Sequence, residues 1–187
     1  LLDGSPKIIK VPGDFSSASF FIVAALLSED SRIIIKNVGL NPTRTGLINI
    51  LRLIGADIQV DITNKNYEAT GDVIVSSSKL MGIKVPNELI SLAIDELPLI
   101  FLAAAVASGE TIIRNAEELR FKESDRIKSM VDLLKNLSIE VNEYQDGLLL
   151  FELMQEKIWN ASSKDTLGLK KYFTTNSKNY KSDDLKS

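Results

Sequence analysis

Val11-Pro12 recurs 74 positions further on as Val85-Pro86, and the elements that follow each copy recur in the same order. In the first pass, IIKVPG (8–13) reads as a strand ending in a turn. Asp14 then opens FSSASFFIVAALL, whose apolar residues cover nearly every side of a helix, so this helix belongs inside the protein. SRIIIKNV (31–38) reads as a strand. NPTRTG starts a second helix with Thr43 as N-cap, running through LINILRLIG to the C-cap candidate Gly55, and ADIQVD and GDVIVSS follow as two strands. The second pass begins at GIKVP (82–86). Asp95 opens the equally apolar ELPLIFLAAAVA, ETIIRNA takes the place of SRIIIKN, SDRIKSMVDLLKNL matches the half-polar helix, and SIEVNEY and GLLLFEL close the pass.

The displacement grows to 81 where Ile58 and Val60 fall on Ile139 and Val141, so insertions lie between matching elements. Self-similarity of this length specifies two copies of a β-α-β-α-β-β unit. The fold class is therefore α/β, with unit one at about 8–78 and unit two at about 79–154. Stacked copies bury the all-apolar helices and expose the half-polar ones together with one sheet face. From 155 to 187 the periodicity stops, and a polar tail anchored only by Trp159 and Tyr172-Phe173 is expected to be poorly ordered or divergent.

Composition limits the chemistry. There is no cysteine, hence no disulfide, thiolate metal site or thiol nucleophile in these residues. There is no histidine either, so any proton transfer falls to carboxylates, lysines or tyrosines. A net charge of -3 speaks against a nucleic-acid footprint, and the tail hides part of the acidity: its 7 basic and 4 acidic residues leave 15 against 21 before it. The longest apolar runs, 20–27 and 97–107, are too short to span a bilayer. The chain reads as cytoplasmic, and one that opens on Leu1 is expected to be a fragment of something longer.

The densest charge lies in RFKESDR (120–126), at the entry to the second half-polar helix. Ser124 suits the N-cap and Asp125 the first turn, which places Lys122 and Glu123 just ahead of a helix start. A cation such as Lys122 or Arg126 beside free backbone N–H groups can hold a phosphate or carboxylate, with Glu123 alongside as a proton carrier. A solvated, capped helix entry is the plainer reading of the same residues. Asp95, at the edge of the apolar helix, reads either as a general base or hydroxyl acceptor or as an N-cap. Asp14 reads as a cap, and Arg44 as a structural cation at a helix entry. Gly13, Ser16 and Ser17 resemble a short phosphate turn without the spacing of a known glycine fingerprint.

VPGDFSSASFF, NPTRTGLINILRLIGADI, IDELPLIFLAAA and AEELRFKESDRI together resemble the 5-enolpyruvylshikimate-3-phosphate synthase family, the 3-phosphoshikimate 1-carboxyvinyltransferases, over about residues 8–150. NPTRTG and RFKESDR look most like its bacterial class II branch. The resemblance implies an inside-out α/β barrel enzyme with two lobes of three units each, of which 1–154 would be two units of the C-terminal lobe. It also implies transfer of the enolpyruvyl group of phosphoenolpyruvate to the 5-hydroxyl of shikimate 3-phosphate, without metal or organic cofactor.

By the same resemblance, Asp95 would accept from the shikimate hydroxyl and Glu123 would donate a proton. Lys122 would contact shikimate 3-phosphate, and Arg126 would bind phosphoenolpyruvate. The family's N-terminal lobe, needed to complete the site, has no counterpart here. Its later DHR-type motif finds no match in KIWNASSKDTLGLKKYFTTNSKNY, and the likeness fades near Phe151. The isolated chain is therefore expected to be inactive. A non-catalytic module of the same fold is the alternative from another class. The UDP-N-acetylglucosamine enolpyruvyl transferases share fold and chemistry, but IDELP and KESDR favour the shikimate enzyme.

Overall fold

The computed structural model of the protein describes residues 11–64 and 68–150. The repeat is visible as two three-stranded antiparallel sheets of identical strand order. Helix α1 (Phe15–Leu27), strand β1 (Arg32–Gly39), helix α2 (Gly46–Leu53) and strands β2 (Asp57–Asn64) and β3 (Thr70–Ser76) form the first unit, with sheet order β1-β3-β2. A short helix α3 (Asn87–Ile90) and a 3-10 turn (Ser91–Ala93) lead into the second. It consists of α4 (Leu97–Ala105), β4 (Thr111–Ile113), a 3-10 stretch (Glu117–Phe121), α5 (Arg126–Asn136), β5 (Val141–Tyr144) and β6 (Gly147–Leu150), in the order β4-β6-β5.

The strand expected ahead of each apolar helix is reduced, among the described residues, to parallel bridges. Gly13 bridges to Val38, and Met81 and Lys84 bridge to Ser108 and Ile112. Residues 8–10 of the first of these strands, and the tail from 155, lie outside the described residues.

The two units agree at the level of single hydrogen bonds. Asn37, at the register break within β1, and Asn115, just past β4, adopt left-handed φ values of 53° and 58°. The Asn37 amide donates to Asp72 Oδ1 at 2.9 Å, and the Asn115 amide donates to Asp146 Oδ2 at 3.3 Å. Both half-polar helices also end alike. After α2, the Gly55 and Ala56 amides donate to the Arg52 and Leu51 carbonyls; after α5, those of Ser138 and Ile139 donate to Lys135 and Leu134. This paired stop requires a left-handed residue, which Gly55 supplies at φ 98° and Ser138 at φ 61°. Because a side chain costs energy in that region, Ser138→Gly is expected to raise unfolding stability by about 0.5–1 kcal/mol, read from denaturation midpoints.

The drifting displacement has a local cause. Asn87–Ala93 form extra turns with no counterpart before α1, and α4 is then shorter than α1, 9 residues against 13. Gly46 accommodates the insertion, since a Cβ there would meet the Leu92 carbonyl group at 2.5 Å.

The caps correct two expectations. Asp14 caps α1 as expected, its Oδ2 accepting from the Ser17 amide at 2.7 Å. For α2, however, the cap position is Thr45 rather than Thr43. Asn41 Oδ1 accepts from the Thr43 amide instead and closes a turn ahead of the helix. For α5 the cap is Asp125 rather than Ser124, with Oδ1 accepting from the Lys128 amide at 2.9 Å. A carboxylate wins that contest because it is charged and the helix start is electropositive.

The core runs through both units. Helix α4 packs against α1, α2 and α5, and Leu97, Ile100, Phe101 and Ala103 are fully enclosed. Ile127, Val131 and Leu134 form the single buried stripe of α5. Phe20 and Phe21 on α1 each remain 63% exposed, so this apolar helix keeps one open face. No helix of the described residues is long and apolar enough to cross a membrane.

Candidate functional site

A cleft of about 350 Å³ opens where α1, α4 and α5 meet, lined by Ser16, Phe20, Asp95, Glu96, Leu102, Arg126 and Met130 among others. Its polar end is made by the turn before α4 and the entry to α5. Asp95 Oδ1 lies 3.6 Å from Lys122 Nζ and 4.0 Å from Arg126 Nη1. Arg126 Nη2 donates to Glu123 Oε2 at 2.6 Å, and Lys122 Nζ pairs with Glu118 at 2.7 Å. The four residues singled out in the sequence, Asp95, Lys122, Glu123 and Arg126, thus form one contiguous group.

The cations of RFKESDR divide by task. Arg120 is spent on structure: it donates to Asp125 Oδ2, to Glu143 Oε1 and to the Tyr144 and Gln145 carbonyls, tying the α5 entry to the β5–β6 turn. Lys122 and Arg126 face Asp95 instead. The Asp125 cap anchors this geometry, and its carboxyl is held below the usual aspartate value by the Lys128 amide, with Arg120 adding to the effect. A group depressed on folding stabilises the fold above its unfolded pKa, and that contribution fades as pH falls through the folded value.

Among the site groups, Glu123 is held below the ordinary glutamate range, chiefly by the hydrogen bond from Arg126. Lys122 is raised, chiefly by its bond to Glu118, with Asp95 contributing. In this arrangement both are charged at neutral pH.

Of the two readings of Asp95, the N-cap is not the one observed. The Asp95 side chain is 45% exposed, whereas the next residue, Glu96, is buried at 3% and holds the cap position of α4 without a side-chain cap bond. Glu96 turns toward the first unit, where Ser16 Oγ donates to its Oε1 at 2.5 Å. Arg44 Nη2 donates to the same Ser16 oxygen at 3.0 Å and stands 3.9 Å from Glu96. Sequence reasoning missed Glu96 because two adjacent acids before a helix offer no periodicity to tell which one turns inward. Among the described residues, no three acidic side chains converge as a metal cage.

Two copies of one α/β unit, meeting at a cleft of paired acids and cations set at helix entries, define a repeat-built α/β protein with its polar site at the junction between units. The family model for EPSP synthase (3-phosphoshikimate 1-carboxyvinyltransferase) matches residues 4–164, past the point where the likeness fades to inspection, and the chain belongs to that family. A 3-phosphoshikimate 1-carboxyvinyltransferase of Petrotoga mobilis is 52% identical over 139 residues, covering 73% of this chain and 32% of the relative. One from a Thermotoga species is 47% identical over 161 residues, covering 86% and 38%. The solved EPSP synthase of Acinetobacter baumannii superposes with a TM-score of 0.75 at 44% identity, over 78% of this chain and 33% of that one. The chain therefore spans about a third of the length of these relatives.

Proposed function

We propose that the chain supplies part of the active site for enolpyruvyl transfer from phosphoenolpyruvate to the 5-hydroxyl of shikimate 3-phosphate, as two units of a C-terminal lobe within 1–154. The observation that carries this reading is the convergence of Asp95 with Lys122 and Arg126 from a helix entry far along the chain, with Glu123 bonded to Arg126.

In this reading Arg126 takes an anionic group of phosphoenolpyruvate, and Lys122 takes the phosphate of the shikimate ester. Glu123 gives a proton to the methylene carbon, which makes the adjacent carbon cationic. Asp95 receives the proton of the hydroxyl that adds there. Loss of a proton from the new methyl group to the Glu123 carboxylate then expels phosphate and restores the double bond, and the hydroxyl proton held by Asp95 departs with the phosphate, so both acids return to their starting state.

The ion pair suggests how Glu123 acquires its proton. While Arg126 donates to it, the carboxyl is held ionised. An anion arriving on Arg126 competes for the guanidinium and brings negative charge close by, and both effects raise the glutamate pKa. Substrate binding thereby converts an ionised spectator into a proton donor.

Around the cleft, three cations (Arg44, Lys122, Arg126) face four acids (Asp95, Glu96, Glu118, Glu123). Two multiply anionic substrates need more positive charge than this, which an N-terminal lobe of the kind the family has would provide. We also propose a cytoplasmic setting, which a chain with no cysteine suits.

The test is phosphate release from the two substrates. Exchanged for the matching third of the Acinetobacter baumannii synthase, the chain is expected to support turnover that requires both substrates, while the chain alone releases no phosphate. A folded hybrid without turnover, or turnover by the isolated chain, contradicts the proposal.

A further inference from the structure

We infer that Glu96 is a positioning residue: through the Ser16 hydroxyl it fixes the Arg44 guanidinium on the first unit's side of the cleft, where Arg44 supplies a third cation for the anions handled there. Asp95 and Glu96 are neighbours in sequence but serve opposite walls. Asp95 faces Lys122 and Arg126 of the second unit, and Glu96 faces Ser16 and Arg44 of the first. A carboxylate only 3% exposed requires compensation, and an unpaired one would cost several kcal/mol.

The compensation is indirect. A hydroxyl has one proton to give, and Ser16 gives it to Glu96 at 2.5 Å; its remaining lone pairs are then the acceptors that Arg44 finds at 3.0 Å. The buried carboxylate thus orients the hydroxyl, and the hydroxyl seats the arginine. An arginine meant only to neutralise Glu96 would close on it as a bidentate pair with the planar fork consumed. Here the guanidinium stays 3.9 Å away and its side chain 51% exposed. Its other N–H groups make no hydrogen bond among the described residues.

Asp14 is the further acid that feels Arg44, and it is already held by the amide of Ser17 at the start of α1. Ser16 and Glu96 line the same cleft as Asp95 and Arg126, so the open fork stands one hydrogen bond from the space an anionic substrate would occupy.

This inference rests on the proposed function, and one experiment separates their failures. The guanidinium Nε–Hε signals of Arg44 and Arg126 are followed by NMR in the ¹⁵N-labelled hybrid synthase, where the N-terminal lobe completes the cleft, during titration with phosphoenolpyruvate and, separately, with inorganic phosphate. Both signals are expected to move with phosphoenolpyruvate at a common midpoint in the millimolar range. Ser16→Ala should leave the Arg126 response in place and cut the Arg44 response roughly tenfold. Ser16→Thr, which keeps the hydroxyl, should restore it. An Arg126 response with Arg44 silent overturns the inference and leaves the proposed function standing, as does an Arg44 response that Ser16→Ala does not change. Silence from both arginines overturns the proposed function and this inference with it.

Discussion

Glutamine at position 123 is expected to lower kcat of the hybrid synthase by about 10²–10⁴-fold, the usual contribution of a positioned proton donor, with a much smaller change in KM. The side chain makes this a clean test because it is 82% exposed, so its substitution removes little packing and leaves the fold intact. The amide keeps the size of the group and accepts from Arg126, but it has no proton to give the methylene carbon. A companion change, Asp95→Asn, should lower kcat over the same range, since the amide cannot take the hydroxyl proton. Arg126→Ala is different in kind, because it removes a binding cation and should raise KM as well. A Glu123→Gln hybrid with kcat within about twofold of the parent would remove Glu123 from the chemistry.

The largest expected loss of stability comes from Phe101→Ala. Phe101 is fully enclosed on α4, the helix that packs against α1, α2 and α5 and so belongs to the cores of both units. Truncating a phenylalanine in such a site removes its burial and leaves a cavity that surrounding helices only partly fill, at about 3–5 kcal/mol. Set against a typical total of about 5–15 kcal/mol, that is a large fraction of the stability and should lower the denaturation midpoint markedly. Because one helix serves both units, they should unfold together, with far-UV circular dichroism and the amide NMR signals of β3 and β6 giving one transition. A loss below about 1 kcal/mol would mean that α4 is not the shared centre of the core.

How much of this was legible in the sequence depended on the kind of signal. The repeat could be read because strand and helix periodicities recur in a fixed order, and the two sheets of identical topology follow from it. Its local bounds could not. The extra turns of Asn87–Ala93 are too short for a helical period to show, and their packing against Gly46 is a contact between residues remote in sequence. The caps show a similar limit. Ser124 and Asp125 both suit an N-cap by propensity, and the choice falls to Asp125 partly because Arg120 reaches the same carboxylate.

At the site, RFKESDR announced itself by charge density, yet charge alone could not separate Arg120, consumed by the β5–β6 turn, from Lys122 and Arg126. Glu96 and Arg44 were the least legible. Their relation passes through Ser16, 80 positions from Glu96, and only the stacking of one unit on the other brings the three together.

The central claim, that the acid at 123 and the guanidinium at 126 serve one substrate, is tested most directly by titrating the ¹³C-labelled Glu123 carboxyl against pH with and without saturating phosphoenolpyruvate. In the free chain the midpoint should lie below the ordinary glutamate value of 4.5. With phosphoenolpyruvate present it should move upward, because the anion takes Arg126 away from Glu123, and in an Arg126→Ala chain it should start near the ordinary value and no longer respond. A midpoint unmoved by phosphoenolpyruvate while the Arg126 signal shifts would contradict the account.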